Sequence, residues 1–475
     1  MNTMKEKILD LIKNFSYSLS ANFISLLIST IVVLIVPKLI GVEQYGFWQI
    51  YIFYSSYVGF LHFGWNDGIY LRHGGEEYNK LNKVNFFSQF YSLLFSQILI
   101  ALVLTIVGLV FIQDFDRKFI LTMIAIQLVI LNSRLMLLYI LQATNRIKEY
   151  SLITILDRIV YLILIITLLV FGIDNYYLLI FADLIGKSIG LIYAMYVSRD
   201  IVFRKLTDFS NVYTDTRDNI NSGIKLMLSN IANTLIIGIV RFGIERNWSV
   251  SIFGKISLSL SVSNMFMVFL NALGMVIYPI LRRINHSSLV KAYSIMRDFL
   301  MIFALGMLIL YIPIKVVLSL WLPQYAESLN YLGLLLPIVI YESKMSLLIN
   351  TYMKALRLEN VMLKFNTFTM TISIVFTGFS AFWLHNLDFT ILSIVILIGF
   401  RGIIAEFILS RALEISVVRD LLLETFMTMI FIYTAWYINS VWTPIIYGVF
   451  YVLYIIIKKN DLKISLDYIL EIMKK

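Results

Sequence analysis

Long apolar segments alternate with short polar connections from one end of this chain to the other. A helix needs about 20 mostly apolar residues to cross the hydrocarbon core of a bilayer, and fourteen segments come close to that length or exceed it. The predicted spans are 15–36, 45–64, 85–110, 119–141, 151–171, 176–197, 223–242, 252–278, 298–320, 329–350, 363–384, 389–410, 421–438 and 442–457. An even number of spans places both termini on the same side of the membrane.

Lysine and arginine fall mainly in alternate connections between these spans. The side that includes both termini holds 27 of them, and this number includes Arg297 and Lys458 at the edges of apolar segments. The other side holds four, which are Lys38, Arg117, Lys118 and Arg246. Because short cytoplasmic loops carry an excess of lysine and arginine, both termini are predicted to be cytoplasmic.

The composition supports a membrane protein. Of the 475 residues, 60% are hydrophobic and 14% charged, with a mean hydropathy of +0.84, whereas soluble domains are nearer half apolar and a quarter charged. The net charge of +10 does not indicate nucleic-acid binding, because the excess lies in scattered loops where the orientation rule predicts it. The chain has no cysteine, no metal-binding histidine motif and no Walker A pattern, so no metal, cofactor or ATP site is expected.

The longest cytoplasmic connection, Ser198–Ser222, divides the chain into two similar parts. The segment Leu19–Ile28 (LSANFISLLI) resembles Leu228–Ile237 (LSNIANTLII) on the other side of it. Internal repeats of this kind are common in transporters. The predicted organisation is an N-terminal six-helix half (1–200), a cytoplasmic joint (201–222), a C-terminal six-helix half (223–411), and two extra helices with a cytoplasmic tail (412–475).

Four connections resemble those of one transporter family. They are Leu39–Gly75 (beginning LIGVEQYGFWQIY), Arg241–Val262 (RFGIERNWSVSIFGKISLSLSV), Ser319–Ser343 (SLWLPQYAESLNYLGLLLPIVIYES) and Tyr352–Asn360 (YMKALRLEN). Together with the span count, they are similar to the Wzx-like polysaccharide-repeat-unit flippases, the polysaccharide transporter branch of the MOP superfamily.

The resemblance implies an all-α polytopic protein of the bacterial cytoplasmic membrane, with two six-helix bundles in a V around a central cavity and two C-terminal helices. It implies a transporter, not an enzyme, that moves undecaprenyl-pyrophosphate-linked oligosaccharide repeat units for capsule, O-antigen or exopolysaccharide synthesis. The expected partners are this lipid-linked glycan, membrane lipids, and the polysaccharide polymerase and chain-length regulator.

Apart from Lys225 and Lys364, which lie at span ends and are counted with the connections, eight basic residues lie within the predicted spans. Two of them, Lys255 and Lys315, are near the outer boundary, where long side chains reach the interface. A charge at the centre of a membrane helix costs roughly 2.5–3.5 kcal/mol on insertion scales, so the others must pair or face a hydrated cavity. These candidate substrate-binding cations are Arg134, Arg158, Lys187, Arg241, Lys344 and Arg401. Arginine suits bidentate contact with phosphate and carboxylate, so they predict a cavity for an anionic head group.

Four acidic residues within the spans are candidates for coupling transport to an H+ or Na+ gradient. They are Asp157, Asp183, Glu342 and Glu406. Arg134 and Asp157 lie at similar depths in neighbouring spans, which predicts an ion pair and leaves Arg158 less compensated. Lys187 follows Asp183 by four residues, the favourable order for a pair on one helix.

Two other functions stay open beside the ion-coupled, alternating-access flippase. A multidrug/cation antiporter of related fold would need acidic groups for cationic drugs, whereas the deep charges here are more often basic. A membrane-embedded polysaccharide polymerase or acyltransferase would need a large outer loop or a positioned His/Asp pair. The outer loops are short, and His385 and Asp388, which share one of them, are expected to be solvated surface.

Overall fold

The computed structural model describes residues 2–204, 212–282, 289–356 and 358–473, which form helices and short connections without a β-strand. Part of the predicted joint, residues 205–211, lies outside the described residues. The chain divides into two compact units, residues 1–231 and 232–475. The boundary between them falls within one long helix.

In the first unit the helices are α1 (Asn2–Leu39), α2 (Val42–Val58), α3 (Trp65–Arg72), α4 (Lys83–Phe111), α5 (Phe115–Ala143), α6 (Ile147–Val170), α7 (Tyr176–Val197) and α8 (Arg199–Val202). Helix α9 (Val212–Asn247) contains the unit boundary. The second unit continues with α10 (Val250–Arg282), α11 (Leu289–Met307), α12 (Tyr311–Trp321), α13 (Leu332–Leu335), α14 (Ile338–Ser343), α15 (Asn350–Ala355), α16 (Glu359–Thr377), α17 (Leu387–Ala412), α18 (Val418–Ile432) and α19 (Thr443–Met473).

Eleven helices of the described ranges are long and apolar enough to cross a membrane, or up to twelve if one bent helix pair is a single span. The bent pair, Ser328–Leu335 with Ile338–Lys354, turns by 44° beside Pro337, which cannot donate a backbone hydrogen bond. Predicted span 45–64 folds as the 17-residue α2 and a short 3-10 turn, and span 442–457 forms the first half of α19. Neither is among the eleven, so the number fourteen stays a prediction.

Polar residues begin several of the long helices at positions where the apolar pattern predicted loops. The side chains of Asn82, Asp114, Asn175 and Asn386 each accept a hydrogen bond from a backbone N–H in the first turn of the helix that follows. Such caps satisfy donors that the helix itself leaves free. They explain why short connections suffice between long spans.

Polar contacts and small residues join the helices of the first unit. Asn132 on α5 donates to Gln97 Oε1 on α4 at 2.7 Å and to the carbonyl of Val58 at 3.1 Å. Ser55 on α2 donates to Gln127 Oε1 on α5 at 2.5 Å. Lipid tails are as apolar as the helix surfaces, so contact between two apolar helix surfaces gains little hydrophobic free energy. Side-chain hydrogen bonds and close packing of this kind therefore hold membrane helices together.

A polar cluster joins the ends of α4 and α8 to the loop that precedes α4. The Tyr78 hydroxyl donates to Asp200 Oδ1 at 2.7 Å, Lys83 forms an ion pair with the same carboxylate, and the Arg146 guanidinium lies 4.4 Å from the centre of the Tyr78 ring. Burial acts to raise the pKa of Asp200, but the hydrogen bonds from Lys83 and Tyr78 outweigh it and hold that pKa below its usual value. The carboxylate therefore stays charged at neutral pH and keeps the cluster closed.

Glycine allows α3 and α9 to touch through their backbones. A Cβ on Gly68 would lie 1.8 Å from the carbonyl oxygen of Asn219, and one on Gly223 would lie 2.1 Å from that of Gly64. Gly64 also has a φ of +82°, which other residues rarely adopt. Gly64 and Gly68 thus permit a close contact between these two helices.

We expect Gly68→Ala to destabilise the protein, because a methyl group cannot avoid a backbone oxygen by changing rotamer. The cost should be at the upper end of the about 1–3 kcal/mol typical of overpacking, measured as a lower midpoint of thermal unfolding in detergent. Gly448→Ala on α19 is the matched control, since no atom lies within 4 Å of the added Cβ. Equal midpoints for the two variants would contradict the close contact.

Candidate functional site

The first pair of predicted charges lies between the antiparallel helices α5 and α6. Arg134 Nη1 lies 2.5 Å from Asp157 Oδ2, and both side chains are less than 10% exposed. Glycines of α7 pack against this pair, since a Cβ on Gly190 would lie 2.9 Å from Arg134 Nη1 and one on Gly186 would lie 2.9 Å from the Asp157 carbonyl. The predicted Arg134–Asp157 ion pair is confirmed.

The second pair lies on α7 alone. Lys187 Nζ forms an ion pair with Asp183 four residues earlier, as the spacing predicted. The hydroxyl of Tyr51 on α2 donates to the same carboxylate oxygen, Asp183 Oδ2, at 2.6 Å. The carboxylate is therefore held by a cation from its own helix and by a phenol from the neighbouring one.

Arg158 differs from these cations. It is the twelfth residue of the 24-residue α6 and half-buried. Within the described part of the chain, no carboxylate lies within ion-pair distance of its guanidinium. A charge halfway along an apolar helix is costly unless it meets water or an anion, so Arg158 is the cation of the first unit most able to accept an external anion.

In the second unit, Arg401 on α17 is almost fully buried and held by two groups. Its Nη2 lies 2.7 Å from Glu342 Oε1, and its Nη1 donates to the side-chain oxygen of Asn233 on α9. The Glu342 side chain is 24% exposed. The pair thus consists of a buried cation and a partly exposed anion. Glu406, five residues further along α17, belongs to a different group of charges.

Four buried groups form a closed ring of alternating charge, which we call the charge ring. It consists of Arg297 on α11, Lys344 at the start of the π-helical turn Lys344–Ile349, Glu406 on α17 and Glu424 on α18. Arg297 lies 2.5 Å from Glu406 and 2.7 Å from Glu424, and Lys344 lies 2.5 Å and 2.7 Å from the same two carboxylates. All four side chains are at most 2% exposed.

A second cluster continues from the charge ring towards an open cavity. Arg297 Nη1 lies 3.2 Å from Asp420 Oδ2 on α18. Lys458 on α19 is the centre of this cluster, with its Nζ 2.8 Å from Asp298, 3.1 Å from Asp420 and 3.0 Å from Asp461. The cavity has a volume of about 640 Å³, and its charged lining comprises Lys291, Arg297, Asp298, Arg419, Asp420, Lys458 and Asp461.

The structure corrects the placement of Arg297 and Lys458. Both were counted as loop cations, yet their side chains are only 2% exposed and belong to buried ion pairs. Glu424 was not among the candidate acids, although it interrupts an apolar run in span 13. The missed signal is that each of these residues lies beside or inside an apolar segment with an opposite charge close by in the sequence. Asp298 follows Arg297 directly, Asp461 follows Lys458 by three residues, and Arg419 precedes Glu424 by five.

The remaining predicted cation, Arg241 on α9, is half-buried. Its Nη2 donates to Ser257 Oγ on α10 at 3.0 Å, and its guanidinium lies 5.3 Å from the centre of the Phe253 ring. Among the described residues, no group of three or more histidine or acidic side chains is arranged to hold a metal ion.

Comparison with known proteins identifies the class. The model of the family described as "Polysaccharide biosynthesis protein" matches residues 11–285, more than half of the chain, and the chain belongs to this family. The resemblance to the polysaccharide transporter branch of the MOP superfamily is thereby confirmed. No curated protein matches the chain by sequence.

Solved structures share the fold across most of the chain. The lipid II flippase MurJ in an inward closed conformation has 15% identity and a TM-score of 0.62, with 94% of this chain and 99% of that chain covered. An inward-facing multidrug resistance MATE family transporter of the MOP superfamily has 13% identity and a TM-score of 0.59, with coverage of 82% and 98%. This chain is therefore a multi-pass membrane protein with the fold of MOP superfamily transporters.

We expect Arg134→Met to destabilise the first unit strongly, because it leaves Asp157 charged, buried and unpaired. Removing one partner of a buried pair costs about 3–5 kcal/mol. The double variant Arg134→Met/Asp157→Leu should recover most of this loss, as apolar replacement of a whole buried pair is often neutral. Thermal unfolding of the single and double variants in detergent checks both expectations, and a double variant no more stable than the single one would refute the pair's role.

Proposed function

We propose that this protein flips undecaprenyl-pyrophosphate-linked oligosaccharide repeat units across the bacterial cytoplasmic membrane, as Wzx-like flippases do. Membership of the polysaccharide biosynthesis family and the similarity to a structure described as a lipid II flippase support a lipid-linked glycan as substrate. The product would serve capsule, O-antigen or exopolysaccharide synthesis, and the polysaccharide polymerase and chain-length regulator would be its partners.

The observation that carries this proposal is the half-buried Arg158, which lies midway along an apolar helix without a carboxylate partner among the described residues. An anionic pyrophosphate would supply the missing charge, and a guanidinium binds phosphate oxygens in bidentate geometry. Lipid tails can stay in the bilayer during transfer, so the charged head is the part that needs a protein surface.

The other candidate cations would act differently. Arg134, Lys187, Lys344 and Arg401 are already in ion pairs, so each could bind substrate only by exchanging its carboxylate for the substrate anion. Arg241 is half-buried and donates to Ser257 Oγ, and it would contact the glycan or its phosphates. We therefore assign the first contact with the head group to Arg158, and Arg241 stays a candidate substrate-binding cation of the second unit.

Transport would be driven by an H+ or Na+ gradient through alternating access. The acids Asp157, Asp183, Glu342 and Glu406 each contact a base, so an ion that neutralises one of them would release its partner base. For topology, we propose that α2 and the first half of α19 also cross the bilayer, which gives fourteen spans and two cytoplasmic termini.

We expect Arg158→Ala to lower head-group translocation by about 10–100-fold, the equivalent of the roughly 1.5–3 kcal/mol that a charged hydrogen bond contributes. The assay follows an undecaprenyl-pyrophosphate-linked oligosaccharide in proteoliposomes under an imposed proton or sodium gradient. Arg158→Lys should be intermediate, because lysine keeps the charge but loses the bidentate geometry.

The matched control is Arg204→Ala, an exposed arginine outside the spans. It should translocate at the rate of the intact protein. An unchanged rate for Arg158→Ala, in protein that unfolds at the normal temperature, would remove Arg158 from the site. No translocation by the intact protein with acidic or neutral glycans and either gradient would overturn the flippase function and favour the antiporter.

A further inference from the structure

The charge ring contains two carboxylates that share two bases, and their geometry is unequal. Glu406 Oε1 accepts an aligned hydrogen bond from Arg297 Nε and another from the Tyr293 hydroxyl. Among the residues that the structure describes, Glu424 accepts an aligned bond only from Lys344, and its Oε1 lies near Arg297 Nη2 without hydrogen-bond alignment. Glu424 is therefore the ring carboxylate with fewer aligned donors.

Arg297 lines the cavity and contacts both ring carboxylates, but only Glu424 of the two also lies on the same helix as a carboxylate of the cavity lining. Asp420 precedes it by four residues on α18, and Asp420 lines the cavity. Like charges four residues apart on one helix repel each other, and a proton on Glu424 removes that repulsion. Asp420 contacts both Arg297 of the charge ring and Lys458 of the second cluster, so a continuous series of polar groups joins the cavity to Glu424.

The groups that face Glu424 come from six segments. They are Arg297 and Tyr293 on α11, Tyr341 on α14, Lys344 on the π-helical turn, Glu406 on α17, Asp420 on α18 itself and Tyr454 on α19. Lys291 on α11 lines the same cavity. Local π-helical turns often occur at functional sites, and here the turn places Lys344 between the two carboxylates.

We infer that Glu424 is the binding site of the coupling ion, that the ion is a proton, and that it enters from the cavity between α11, α18 and α19 by way of Asp420. This inference rests on the proposed ion-coupled flippase, and it adds the identity of the coupling ion, the residue that binds the ion, and the route by which the ion reaches that residue. A hydronium ion in the cavity gives its proton to the carboxylate, which yields a neutral carboxylic acid and a water molecule, and the reverse step releases the proton.

Protonation changes what holds α18 in place. The neutral acid loses its attraction to Arg297 and Lys344, and Glu406 is then the remaining ring anion for both bases. The contact of α18 with α11 and with the π-helical turn weakens, while α17 keeps its two ion pairs. The attachment of α18 to α11 and to the π-helical turn is therefore stronger when Glu424 is charged and weaker when Glu424 carries a proton.

The first test is infrared difference spectroscopy of the full-length protein in lipid, as the buffer changes from alkaline to acidic. The intact protein should gain a carboxylic acid C=O band that Glu424→Gln lacks. Glu327→Gln, an exposed glutamate on a short loop of the same unit, is the matched control and should keep the band. A band that survives in Glu424→Gln overturns the inference.

The second test measures translocation with and without a proton gradient. The gradient should accelerate the intact protein and the control variant, whereas Glu424→Gln should move substrate at the same rate in both conditions. Acceleration that persists in Glu424→Gln overturns the inference even if translocation itself is normal. A band that is lost in Glu424→Gln, with no glycan translocated by any protein, supports the proton site and instead rejects the proposed substrate.

A further variant addresses the case in which Glu424→Gln does not fold. Lys344→Met/Glu424→Gln removes one base and one acid of the charge ring and leaves the balanced pair of Arg297 and Glu406. It should unfold closer to the temperature of the intact protein and should also lack the infrared band. Presence of the band in this folded double variant would place the proton on another group and reject Glu424.

Discussion

The whole structure depends on the cost of placing a charge where water is absent. In the apolar interior of a membrane protein, a cation or an anion is stable only with a partner of opposite charge and further hydrogen bonds. The deep carboxylates Asp157, Asp183, Glu406 and Glu424 all follow this rule. The positions of these pairs therefore decide which helices must touch and at which depth.

The two units satisfy this constraint in different ways. In the first unit, pairs form within one helix or one hairpin, and glycines on α7 and α9 let backbones approach closely. In the second unit, the charge ring unites α11, α17, α18 and the π-helical turn, and Lys458 attaches α19. An ion pair between helices can be broken and remade, because it responds to protonation. A glycine contact between backbones does not respond to protonation. The second unit is thus better suited to a switch.

The sequence allowed local pairs to be predicted but not the distant ones. Asp183 and Lys187 are four residues apart, and a short connection places Arg134 beside Asp157, so helix geometry alone brings each pair together. The ion pairs of the charge ring join residues that are 62 to 127 positions apart. Apolar periodicity does not show which faces of distant helices meet, and it assigned Arg297 and Lys458 to loops because they lie at segment edges.

The same reasoning applies to the fold. Apolar length identified the helices, and a family resemblance identified their plan, but neither indicated the 44° bend near Pro337 or the π-helical turns. These features depend on tertiary contacts of individual side chains. The sequence therefore shows which charged residues lie in apolar segments, and the structure shows which of these residues form pairs.

The charge ring and the position of Lys458 near the end of the chain have a consequence for biosynthesis. Arg297 is synthesised 109 residues before its partner Glu406. Asp298 and Asp420 are likewise synthesised before their partner Lys458. Until then, these side chains need water, lipid head groups or the insertion machinery as temporary partners. The second unit consequently reaches its final helix arrangement only after α19 has been synthesised, and a ribosome that stops early leaves an intermediate with exposed charges for quality control to recognise.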